Sequence, residues 1–375
     1  MELAGPALSF NAVATAELHE GLLAARPLLR LTRHRRSESL VQTAGLAQAL
    51  QSLVNGDVPA GPCADGELDF MNHRSRCALL LLAAAFFTAP ARAEDLTGTL
   101  EKVKETGTIV MGFRETSIPF SYLDDKQQAV GYAVDICMKI VDAVRAELKM
   151  PGIKLQTMGV TSSNRIPLMA NGTIDLECAS TTNNADRQKQ VAFTNTHFLT
   201  ASKFVSKKAA HVVNIDALRG KTVASVAGTS NIVQLNQFNT ARKLGINVLA
   251  AKDVVEGFLM METDRAVAFV MDDVLLSSLI AGSKDPSLYE INDEAFSKPE
   301  PYGIMLRKDD PQFKAVADRA TAALYASPEI VAIYNKWFLS PVPPKGLNYN
   351  VPLSAVLSHE FAHPTNSPNP DDYKI

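Results

Sequence analysis

From Thr108 onward the chain switches repeatedly between two hydrophobic periods. TIVMGF, Thr108 to Phe113, is a short apolar, β-branched run and reads as a strand. In GYAVDICMKIVDAVRAEL apolar side chains recur at Ala133, Cys137, Ile140, Val141, Val144 and Leu148, the spacing of one helix face. IKLQTM from Ile153 returns to strand, SNRIPLMANG predicts a short helix stopped by Gly172, and TIDLEC from Thr173 is a further strand. The same rhythm then repeats. KTVASV (from Lys221), INVLAA (from Ile246) and RAVAFVM (from Arg265) read as strands. GTSN, DVVEGFLMMETD and DDVLLSSLIAG open or form the helices that follow them. Beyond SKPEPYGIMLRKDDPQFK the pattern predicts two more helices, the second ending near Trp337 and Phe338.

Strand and helix in alternation imply mostly parallel sheets covered by helices. Two such units predict a two-lobed α/β fold, with lobe 1 split into 94–200 and 303–350 and lobe 2, 201–302, inserted between the pieces. Polar loops at the strands' carboxyl ends would line a cleft between the lobes. Hinge motion is expected at the crossovers, near Thr200 to Lys203 and Ser297 to Gly303. The Pro-, Asn- and Asp-rich tail, 351–375, reads as loose.

Charge usage divides the chain. Residues 1–93 hold eight arginines, eight acids and no lysine, and every lysine lies beyond Ala93. The break falls on MNHRSRCALLLLAAAFFTAPARAED. From Met71 this stretch has a basic start, an apolar run from Cys77 to Phe87, and a small-x-small site at Ala91-Arg92-Ala93. Those are the parts of a secretory signal peptide, 71–93, and the apolar run is too short for a permanent span. Met71 is therefore expected to be the true start, with 1–70 arising from a start codon placed too far upstream. Cleavage would remove Cys63 and Cys77. Cys137, on an apolar helix face, and Cys178, at a strand end, are then expected as two buried thiols in an oxidising compartment.

The net charge of −3, without a basic stripe or a P-loop, gives no reason to expect nucleic acid as a partner. Candidate chemistry concentrates in ECASTTNNADR, Glu177 to Arg187. Ser, Thr and Asn in sequence suit a capping turn. They also suit an anion cradle, completed by a guanidinium that meets a carboxylate in two parallel bonds. Asp272, directly after an apolar strand, fits either a helix cap or an acceptor for an ammonium group, with Asp273 as the expected cap. Arg114 ends the strand TIVMGF, and Arg165 opens the helix after Ser162.

FRETSIPFSY (113–122), GYAVD (131–135), TSSNRIPLMANGTIDLECASTTNNADRQKQVAF (161–193), DRAVAFVMDD (264–273) and YGIMLRKDDPQFK (302–314) together resemble the periplasmic glutamate/aspartate-binding proteins of ABC importers. The similarity covers essentially 96–350. It implies the type II periplasmic-binding-protein fold, a monomer without cofactor or metal that performs no chemistry, L-glutamate or L-aspartate as ligand, and a membrane ABC permease as partner. It further implies that Ser180, Thr182, Arg187 and Ser230 receive the α-carboxylate. Asp272 would take the α-ammonium, and Arg114, Ser162 and Arg165 the distal carboxylate. Three arginines against Asp272 leave one positive charge beyond the ligand's need. Glutamine would leave a buried guanidinium unpaired, at about 3–5 kcal/mol. The chain departs from close relatives at Val254, where they carry a histidine, and at Ile304, where relatives have a cysteine that would be the natural partner of Cys178.

Two enzymatic readings compete. HEFAH, His359 to His363, fits the zinc-peptidase pattern H-E-x-x-H, but Pro364 stops the helix and no His or Glu follows to act as a third ligand. Some relatives of the fold dehydrate cyclic acids, yet arginines dominate the proposed cleft, with only Asp272 and Glu177 as candidate acids.

Overall fold

The computed structural model describes residues 95–374; the upstream extension and signal segment expected for 1–93 lie outside them. In chain order the elements are α1 Gly98–Thr106, β1 Thr108–Phe113, β2 Thr116–Ser117, β3 Ser121–Leu123, β4 Ala129–Val130, α2 Tyr132–Glu147, β5 Lys154–Gly159, α3 Arg165–Ala170, β6 Leu176–Cys178, α4 Ala185–Gln188 and β7 Val191–Phe193. Then follow β8 Phe198–Thr200, β9 Ser202–Lys207, β10 Thr222–Val226, α5 Ser230–Ala241, β11 Asn247–Ala251, α6 Val254–Glu262, β12 Ala268–Asp272, α7 Asp273–Gly282 and β13 Tyr289–Ile291. The chain ends with β14 Glu300–Tyr302, β15 Met305–Arg307, α8 Pro311–Tyr325, α9 Glu329–Phe338 and α10 Ala355–Ala362.

Two five-stranded sheets carry the lobes. The first has the order β5-β1-β6-β15-β7 and the second β11-β10-β12-β9-β13. Each is mixed. β5, β1 and β6 run parallel while β15 returns antiparallel between β6 and β7. In the second sheet β9 is antiparallel to both β12 and β13. The antiparallel strands are those entered directly from a crossover, which reverses the chain without a covering helix. The crossovers pair with each other: β8 and β14 form a two-stranded antiparallel ribbon, Thr200 opposite Glu300 and Phe198 opposite Tyr302.

The predicted apolar stripe of α2 is buried against the first sheet through Ala133, Ile136, Cys137, Ile140, Val141 and Val144. Its start depends on Gly131, at φ 142°: a Cβ there would lie 2.2 Å from the Phe120 carbonyl oxygen, so the GYAVD motif needs a residue without one. The same apolar face corrects one expectation. It brings Cys137 over the end of β6, where it forms a disulfide with Cys178, with Cα atoms 6.1 Å apart. The two are not separate thiols, and Ile304 is buried without a sulfur partner being needed there.

A second correction concerns the tail. Residues 351–374 are not loose: α10 packs Leu357 and Phe361 inward, with the Phe361 ring 4.9 Å from that of Tyr325. Farther on, Thr365 accepts a backbone bond from Thr196, and the Asn366 carbonyl accepts from the side chains of Asn183 and Gln188. Proline and asparagine here shape an extended strap rather than a mobile end. None of the described helices is long and apolar enough to cross a membrane.

Candidate functional site

All eight residues singled out from the sequence line one nearly closed cleft with about 10 Å³ of free volume: Arg114, Ser162, Arg165, Ser180, Thr182, Arg187, Ser230 and Asp272. Each is placed by the end of an element. Arg114 follows β1, Arg165 is the first residue of α3, and Arg187 lies in the single turn α4. From the other lobe, Ser230 opens α5 and Asp272 ends β12. Loops at strand ends bring these groups together because the parallel strands β5, β1 and β6 of one sheet and β10 and β12 of the other end at the gap between the sheets.

The guanidinium groups are almost wholly buried, between 2% and 8% exposed. Arg114 donates to the Ser162 hydroxyl at 2.7 Å. Arg165 donates to the Thr181 hydroxyl at 2.8 Å, and that hydroxyl donates to Glu177 at 2.7 Å. Arg187 donates to the Thr182 carbonyl at 2.7 Å and reaches the Gly228 carbonyl across the cleft at 3.4 Å. Burial and the Arg165 charge lower the pKa of Arg114 to about 10 and of Arg187 to about 9, which leaves both cationic at neutral pH. The α4 turn is four residues long, so its axis adds little field and the guanidinium supplies the charge.

Asp272 is 1% exposed. Tyr302 of β14 donates to one of its oxygens, and Asn231 of α5 donates to the other at 2.8 Å. Burial pushes its pKa up to about 7; the Asn231 and Tyr302 hydrogen bonds oppose that, and the Glu300 and Asp273 charges add to it. The capping expectation is corrected in detail. Neither aspartate caps in the usual way: Asp272 makes no cap bond, and Asp273 turns back to accept from the Thr200 hydroxyl and the Ala201 and Val274 amides. It thereby ties α7 to the crossover.

Several lining groups escaped the sequence reading. Ser117, Thr229, Asn231, Met271 and Leu275 face the cleft together with Val254, the first residue of α6. Tyr302, Asn231 and Thr181 hold the charged groups in place. Thr181 stood in the run from Glu177 to Arg187, Thr229 and Asn231 in GTSN, and Tyr302 on a crossover, but none was singled out.

The H-E-x-x-H motif lies on the tail. His359 and His363 have ring centroids 4.6 Å apart, and Glu360 is buried beside His359. Among the described residues no group of three or more His, Cys, Asp or Glu side chains is arranged to hold a metal.

Comparison with known proteins matches residues 109–340 to the model of the bacterial extracellular solute-binding proteins, family 3. The L-glutamate/L-aspartate-binding protein of Pseudomonas aeruginosa is 47% identical over 285 residues, 76% of this chain and 94% of that protein. The glutamate/aspartate import solute-binding protein of Escherichia coli K12 is 42% identical over 291 residues, 76% of this chain and 96% of that one. Among solved structures, an ancestral arginine-binding protein bound to arginine superposes with a TM-score of 0.56 at 26% identity, covering 62% of this chain and 98% of that one.

Proposed function

Because the chain belongs to the bacterial extracellular solute-binding proteins of family 3, we propose that it captures an acidic amino acid, L-glutamate or L-aspartate, outside the cytoplasm and delivers it to an ABC importer. In this reading 71–93 direct export to the periplasm and are removed. Residues 94–200 with 303–350 form one jaw, and 201–302 form the other. The observation that carries the reading is the convergence of three buried guanidiniums and one buried carboxylate, from separate segments, on one cleft. A ligand with two carboxylates and one ammonium complements that set. The names of the two relatives above, which cover three-quarters of the chain, support the same ligand class.

Arg187, with Thr182, Ser180 and Ser230, receives the α-carboxylate; Asp272 accepts the ammonium. Arg114 and Arg165, with Ser162, hold the distal carboxylate. Bidentate guanidinium contacts fix the carboxylate planes. An amide at the distal position leaves a desolvated guanidinium incompletely paired, which disfavours glutamine and asparagine. Val254 contributes only methyl groups to the wall, so the distal carboxylate depends on the arginines and hydroxyls.

Calorimetric titration with glutamate, aspartate, glutamine and asparagine tests the reading. Both acids should bind and both amides should bind far more weakly. Arg187→Ala and Asp272→Ala should each weaken glutamate binding at least tenfold, about 1.4 kcal/mol. Absence of glutamate and aspartate binding by the intact protein would remove the proposal.

A further inference from the structure

Behind the cleft wall lies a carboxylate that the ligand-contact scheme does not use. Glu177 lies on β6, opposite Gly112 of β1 and Met305 of β15, in the middle of the first sheet. It is 0% exposed. One oxygen accepts the Thr181 hydroxyl at 2.7 Å; the other has no hydrogen-bond partner and sits 3.9 Å from an Arg165 nitrogen. A buried carboxylate oxygen left unpaired disfavours the fold unless nearby charge compensates it. Here the compensation comes from the cleft: the Glu177 charge acts favourably on both Arg114 and Arg187, opposing their burial and the repulsion from Arg165.

We propose that Glu177 sets the charge of the binding cleft: it positions Arg165 through Thr181 and cancels one guanidinium charge, so that the closed site matches a ligand of net charge −1 and rejects one of net charge −2. The count supports this. Arg114, Arg165 and Arg187 give +3, and Asp272 and Glu177 give −2, leaving +1. Glutamate and aspartate, with two carboxylates and one ammonium, carry −1. The excess positive charge expected from the sequence is thus neutralised within the protein. Among the described residues Glu177 is the one acid within 4 Å of these guanidiniums; Glu300 and Asp253 act favourably on Arg187 and Arg114 from farther off and are bonded to other groups. Glu300 accepts from Gln234, and Asp253 accepts the Val255 and Glu256 amides.

This inference rests on the acidic amino-acid reading, and its test separates the two. Two ligands of the same shape and different charge are compared: homocysteate, with a distal sulfonate of charge −1, and 2-amino-4-phosphonobutyrate, whose distal phosphonate gains a second charge at alkaline pH. The wild-type protein should favour the sulfonate by at least tenfold above the phosphonate's second ionisation. That preference should shrink as pH falls through the ionisation. In Glu177→Gln, which keeps the size and an oxygen to accept from Thr181, the alkaline ratio should drop at least tenfold; Glu177→Asp, which keeps the charge, should retain the sulfonate preference. A variant ratio equal to wild type overturns the inference while glutamate binding leaves the functional reading standing. Should Glu177→Gln fail to fold, the wild-type pair decides alone: a ratio independent of the phosphonate's second ionisation, or moving toward the phosphonate, overturns it.

Discussion

Asp272 illustrates how burial and ligand charge act on one side chain. In the closed cleft its pKa stands at about 7, against an ordinary 3.8, because desolvation outweighs the bonds from Asn231 and Tyr302. A bound ammonium favours the ionised form and draws that pKa back down. With Asp272 as the proposed ammonium acceptor, binding to the cleft as buried here expels a proton below about pH 7; above it, the carboxylate is already charged. Affinity for glutamate should fall as pH drops from 7 to 5.5, by up to tenfold per unit, and level off on the alkaline side. Titrations in buffers of different ionisation enthalpy should register proton release near pH 6.5. Proton-neutral binding with a flat affinity profile would exclude Asp272 as the ammonium acceptor. The guanidiniums do not share this behaviour: Arg114 and Arg187 stay charged throughout that range even after burial has lowered them.

At the level of elements, the disulfide between α2 and β6 governs the loop that follows. Cys178 is the last residue of β6, and Ala179 to Asn184 lead from it to α4 and Arg187. The bond closes a segment of 41 residues, for which loop-closure entropy gives a stabilisation of about 4 kcal/mol. Denaturant unfolding with and without reductant should show a lower midpoint for the reduced protein by an amount of that order. An unchanged midpoint would mean that the unfolded chain is not measurably constrained by the bond. The tail acts on the same loop from behind, since the Asn366 carbonyl holds Asn183 and Gln188. Both ties explain why a stretch of hydroxyls and amides keeps a fixed shape.

Across the whole molecule, closure brings polar groups of the two lobes together without an intervening wall. The Thr182 and Ser230 hydroxyls lie 3.2 Å apart, and the Ser278 hydroxyl donates to the Ile118 carbonyl at 2.8 Å. Gly228 permits this approach. It has φ 77°, and a Cβ there would stand 2.7 Å from the Ser162 carbonyl oxygen on the opposite lobe. Gly228→Ala should therefore hinder closure and weaken glutamate binding at least tenfold. Small-angle scattering should show a smaller ligand-induced compaction than in wild type. Wild-type affinity and compaction in the variant would show that the lobes can close without this contact. The crossovers between the lobes pair as the β8–β14 ribbon, where Tyr302 and Thr200 also touch Asp272 and Asp273.

The alternation of strand and helix and the two α/β units were legible along the chain, because periodicity is a local property; the eight cleft residues came from the resemblance, with Arg114, Arg165, Arg187 and Asp272 also marked by their places at strand ends and helix starts. Arg187 could be read because a guanidinium closing a run of hydroxyls and amides has a chemical meaning at short range. The pairing of Cys137 with Cys178, the docking of the tail and the direction taken by Asp273 were not legible. Each depends on which distant surface an element meets, and helical spacing says only that a face is apolar. Glu177 shows the same limit in electrostatics: its residue type and position were plain from the sequence, but its full burial 3.9 Å from an Arg165 nitrogen is set only by the folded arrangement.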